Sequence, residues 1–142
     1  MKTVPNPLIA FPYLVMAEQF LFAYQNAAEQ NPPNWPKYFL GCHAVELAFK
    51  SFLFAKGTTE KELEDSKVRH NLLALLKLAE EKGLMLSAET VDGVAHLAQA
   101  HSNFWNRYPK FVKQQVVLSE ELENEICSLF QVIRTAMANR SC

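Results

Sequence analysis

Eight polar residues are the candidates for chemistry in this sequence: His43, Glu46, Lys50, His70, His101, Asn103, Arg107 and Tyr108. Glu46 and Lys50 stand four apart with the glutamate first, the favourable orientation for a helical ion pair. His43 precedes Glu46 by three residues and shares its helical face. An imidazole beside a carboxylate is the pairing of a general base, and equally that of a packed histidine with one nitrogen satisfied. His70 falls at the start of the following helix, where it either caps and packs that helix or approaches Glu46 and Lys50 from it. His101, Asn103, Arg107 and Tyr108 cluster at another helix end. A histidine to take a 2′-hydroxyl proton and an arginine to steady a pentacoordinate phosphate are the residue types of metal-independent RNA cleavage.

Other chemistries lack their patterns. His96 and His101 are five apart, so they do not share one helix face as the zinc-binding His-Glu-x-x-His does, and no Cys-x-x-Cys occurs. No metal and no cofactor is expected. Neither a glycine-rich phosphate loop nor a nucleophile elbow is present. Trp35, Phe104 and Trp105 are able to stack bases, but at helical spacing they equally serve a core. The formal net charge of −1 carries none of the basic excess that nonspecific nucleic-acid binding requires. Three cysteines, Cys42, Cys127 and Cys142, form no paired framework and read as free thiols of a reducing compartment. Leu8 to Ala28 is apolar, but Pro12, Glu18, Gln19 and Gln25 interrupt it and only Lys2 supplies a positive start. Neither a membrane span nor a signal peptide is expected, which points to the cytoplasm.

The elements that must position these residues are helical. The chain of 142 residues, 49% hydrophobic with 4 Gly, fits one all-α domain with a core that needs no metal or disulfide. Residues 1–11 read as an extended lead-in. Helical spacing then predicts a helix from about Pro12 to Gln30 and a second from about Pro36 to Lys56, apolar nearly all round and stopped by Gly57. Thr59 with Glu62 forms a capping box for a short helix through about Asp65. A further helix spans about Arg69 to Lys82 with Gly83 as its stop, and Ser87 caps one from about Ala88 to Asn106. Residues 111–118 read as extended, and Ser119 opens the last helix. The expected sum is four long helices and one short one, closed by short loops into an antiparallel up-and-down bundle.

With the elements assigned, the order of several short motifs resembles HEPN-domain proteins. His43-Ala44-Val45-Glu46-Leu47-Ala48-Phe49-Lys50 carries a Glu-x-x-x-Lys on the second helix. His70-Asn71-Leu72 opens the third, Gly83-Leu84 stops it, and Arg107-Tyr108-Pro109 precedes the last. The likeness covers roughly three-quarters of the chain and implies a HEPN-like helical bundle that commonly forms a homodimer. It also implies a place in toxin–antitoxin or defence systems, often beside a nucleotidyltransferase-like partner. Active members of that family cleave RNA with an Arg followed, after four to six residues, by a His. Here Arg69 is followed at once by His70, and His101 precedes Arg107. The expectation is therefore a non-catalytic HEPN-like dimeric interaction module. A divergent ribonuclease using His101, Arg107 or His70 and a bundle that binds a nucleotide or other small ligand stand as alternatives.

Overall fold

The structure, a computed structural model, describes residues 7–28, 35–106 and 120–138, with their side chains apart from those of Pro7 and residues 100–106. Among the described residues six α-helices follow in chain order: α1 Pro7–Asn26, α2 Trp35–Ala55, α3 Glu60–Glu64, α4 Leu72–Glu81, α5 Ala88–Asn106 and α6 Glu120–Ala138. Among the described residues there is no strand. The elements number one more than the expected sum of four long helices and one short one, and all six stand near the stretches where helical spacing placed them, α4 within the expected Arg69–Lys82 segment. α1, α2, α5 and α6 have 20, 21, 19 and 19 residues, α3 is the short piece of 5, and α4 is a separate helix of 10.

α2 is the centre. It packs against α1, α4, α5 and α6, which is why its sequence is apolar on nearly every side. Phe49, Phe52, Leu53 and Phe54 are fully buried along it, and each such side chain stabilises the fold by roughly 1.5–3 kcal/mol relative to exposure. Trp35–Ala55 is long and apolar enough to cross a membrane, yet 78% of its apolar window is buried inside the bundle. Among the described residues, α2 and not the Leu8–Ala28 stretch is thus the segment that passes that test.

α1 begins earlier than expected. Residues 7–11 belong to the helix and not to an extended lead-in, because Pro7 occupies the first helical position, where a missing N–H costs nothing. Pro12 lies inside α1. It forfeits the hydrogen bond to the Leu8 carbonyl, and it sits on the exposed side of the helix. The buried face of α1 carries Ala10, Ala17, Leu21 and Tyr24. Two of these are small, and Gly41 of α2 completes the close approach: a Cβ there would sit 2.9 Å from Cδ1 and 3.0 Å from Cε1 of Tyr24. Leu8, Phe11, Val15, Met16 and Phe22 consequently face outward and are exposed. Glu18 on α1 accepts from Arg134 Nε of α6 at 2.7 Å, and Arg134 also lies over Phe130.

The helix ends follow their local chemistry. Gly57 takes φ 96°, while Thr58 N–H donates to the Leu53 carbonyl and Gly57 N–H to that of Phe54, both at 3.0 Å. This closes the last turn of α2. Gly83, at φ 102°, ends α4 in the same way, with Leu84 N–H on Ala79 and Gly83 N–H on Glu80. The Thr59–Glu62 capping box is formed at α3. α4 starts at Leu72 and not at Arg69, because Asn71 is the N-cap and its side chain accepts from Ala74 N–H at 3.1 Å. Asp65 holds the preceding turn, accepting from the N–H groups of Lys67, Val68 and Arg69. Ser87 caps α5 through Thr90 N–H at 3.2 Å. The segment 111–118, expected to be extended, and Ser119 lie outside the described residues.

Candidate functional site

The fold brings three of the candidate residues together. α2 carries Glu46 and Lys50 one turn apart, and the turn before α4 lays His70 over them. Glu46 is 2% exposed. Lys50 Nζ donates to its Oε2 at 2.9 Å, and His70 Nδ1 lies 3.3 Å from both carboxylate oxygens. The His70 side chain is 49% exposed, that of Lys50 12%. His70 therefore does not open α4, as its place in the sequence suggests. It sits one residue before the Asn71 cap and ties that turn to the central helix.

The electrostatics of Glu46 follow from these partners. Burial pushes its carboxyl pKa upward, but the hydrogen bonds and charges of Lys50 and His70 outweigh that, and the net position is below the ordinary 4.5. Glu46 stays ionised in the core because both of its oxygens are engaged. Cys42, one turn earlier on α2, is pushed up to about 12 by burial and by the Glu46 charge, so it remains a neutral thiol.

His43 lies beside this network in an aromatic slot. Its ring meets Phe20 edge-on at 4.5 Å and stacks on Phe39 at 5.9 Å between centroids. Burial lowers its pKa. The Glu46 charge raises it, the Lys50 and His70 charges lower it again, and the net position is below 6.5. His43 and Glu46 thus both bind protons more weakly in the folded state, so the unfolded chain takes up more protons in acid and stability falls with pH. Their contribution is complete above pH 6.5. The His43 part is lost first as pH drops below 6.5, and the Glu46 part follows below 4.5. The melting temperature of the parent is expected to fall between about pH 7 and 5, and His43→Phe, which keeps a ring in the slot, is expected to flatten that fall. Calorimetry across that range checks it, and identical slopes for the two proteins would contradict it.

The second polar group lies at the edge of what the structure describes. His101 and Asn103 are on the last turns of α5, where side chains are outside the described set, and Arg107 and Tyr108 lie outside the described residues. Trp35 packs on Tyr38, with centroids 6.3 Å apart.

Two features escaped the sequence reading. One is an open groove of about 490 Å³ between α5 and α6, lined by Glu89, Asp92, Gly93, His96, Glu121, Leu122 and Glu125. Gly93 permits the helices to meet, since a Cβ there would lie 2.9 Å from Glu125 Cβ. Thr90 Oγ1 donates to Glu125 at 3.0 Å. Acidic residues spaced three and four apart on both helices were its signal. Among the described residues no group of three His, Cys, Asp or Glu side chains is placed to hold a metal ion. The other is the outward apolar face of α1, whose signal was Leu8, Val15 and Phe22 at steps of seven.

Among the described residues, a buried polar network thus sits on the central helix and an apolar face of α1 is exposed. The chain matches no family model, no curated protein and no solved structure.

Proposed function

We propose that this chain is a HEPN-like interaction module of the cytoplasm that forms a homodimer and has no catalytic centre of its own. In that reading its helices run as an antiparallel up-and-down bundle. It serves a toxin–antitoxin or defence system, where a nucleotidyltransferase-like protein is its second partner. The observation that carries the proposal is the outer face of α1, where Leu8, Phe11, Val15, Met16 and Phe22 are all exposed. Apolar side chains gathered on one exposed helix face are a feature of interaction sites. Two further points support it. Glu46 accepts from Lys50 and lies within hydrogen-bond reach of His70, which suits a structural tie. In sequence, no histidine follows an arginine at the spacing used by the ribonucleases of that family.

The test is RNA cleavage by the purified protein in excess EDTA, beside a His101→Ala/Arg107→Ala double variant. Neither protein is expected to cleave. Cleavage by the parent that the double variant loses would replace this reading with that of a ribonuclease whose histidine precedes its arginine.

A further inference from the structure

We infer that the outer face of α1 is a two-fold seam between two copies of this chain, with the two α1 helices antiparallel and Val15 at the axis. The inference rests on the self-association proposed above and names the surface responsible. At 100° per residue, Leu8, Val15 and Phe22 fall within about 40° of one another, with Phe11 and Met16 flanking them. Leu8 is 86% exposed, Phe11 65% and Phe22 67%, while Ala10, Ala17 and Tyr24 on the opposite side are buried against α2. A seven-residue repeat on a straight helix favours a shallow crossing with a second helix of the same kind.

Size and charge select the occupant. The five side chains expose on the order of 550 Å², at the upper end for a patch on a monomer. With Pro12 and Gln19, also exposed, the face approaches the ~800 Å² per partner of a standard interface. No charged residue occurs from Thr3 to Ala17, and Glu18 is held by Arg134 of its own chain. An anionic lipid surface needs lysines and arginines around the apolar face, and a charged partner helix would find nothing to pair with. A second copy meets neither objection.

Symmetry selects the register. A two-fold contact brings the same patch to itself. Leu8 and Phe22 stand seven residues either side of Val15, so antiparallel helices place Leu8 against the partner's Phe22 and Val15 against the partner's Val15. Phe11 and Gln19 stand four either side, so each phenyl ring covers the methylenes of the partner's Gln19 and leaves its amide at the rim. Parallel helices would instead set the two Gln19 amides against each other and align the helix dipoles unfavourably.

Cysteine cross-linking in a Cys127→Ser/Cys142→Ser background tests the seam, with the mass of the uncross-linked protein measured by sedimentation at the same concentration. Val15→Cys is expected to oxidise to a covalent dimer in high yield, since helices in contact bring facing Cα atoms into disulfide range. Leu8→Cys and Phe22→Cys are each expected to stay uncross-linked alone and to link, through a short bis-maleimide, when mixed. Leu8→Cys linking to itself would show parallel helices and overturn the arrangement. A dimer by mass whose Val15→Cys variant does not link would overturn the seam and leave self-association standing. A monomer at about 100 µM would remove self-association and the seam together, and would assign the face to a different occupant.

Discussion

Glu46→Ala is expected to lower the stability of the fold by about 3 kcal/mol, and the melting temperature by about 10 °C. The loss has two sources. Lys50, 12% exposed, is left in a largely apolar setting without the carboxylate that accepts its hydrogen bond. The turn carrying His70 loses its link to α2, and with it the anchor that holds the start of α4. The figure sits at the lower end for a buried pair because His70 is half-exposed and recovers water when released. Glu46→Gln keeps the shape and one acceptor, so an intermediate loss is expected. A Glu46→Leu/Lys50→Met double variant removes both charges and is expected to regain most of the stability. Chemical denaturation of the four proteins checks the series. A Glu46→Ala loss below about 1 kcal/mol would show that the network does not hold the core together.

Phe11→Glu/Phe22→Glu is expected to weaken self-association by at least 100-fold, about 2.8 kcal/mol. The two-fold arrangement places four carboxylates in an apolar seam, and Arg134, the arginine paired to α1, is engaged by Glu18. Desolvating them costs more than the two apolar side chains contributed. Both positions are outward in the free chain, at 65% and 67% exposure, so the monomer is expected to keep its melting temperature within a few degrees. Loss of dimer with retention of fold is the signature of an interface. Loss of both would mean that the face is packed within the chain.

What was legible in the sequence was chiefly local. Gly57 and Gly83, the Thr59–Glu62 box and the Ser87 cap declare helix ends through chemistry confined to a few residues, and each forms as read. The all-round apolar character of α2 fits either a central helix or one shared between core and dimer interface, and its packing against α1, α4, α5 and α6 decides for the first. Glu46 with Lys50 was readable from a spacing of four. The approach of His70 was not decided by spacing, because it depends on how the Asp65 turn folds back over α2. The starts of α1 and α4 were misplaced by competing signals. Pro12 reads as a beginning when Pro7 already serves, and the helical run reads back to Arg69 although the Asn71 cap starts α4 at Leu72. The outer face of α1 was hidden by its own composition. Apolar residues occur on both sides of that helix, and only the packing against Gly41 tells which side is core.

Sedimentation velocity of the unmodified protein, from about 1 to 100 µM, tests the central claim most directly. The account predicts a single species near twice the 16.2 kDa chain mass through the upper part of that range, dissociating on dilution. A species of chain mass at every concentration would contradict it.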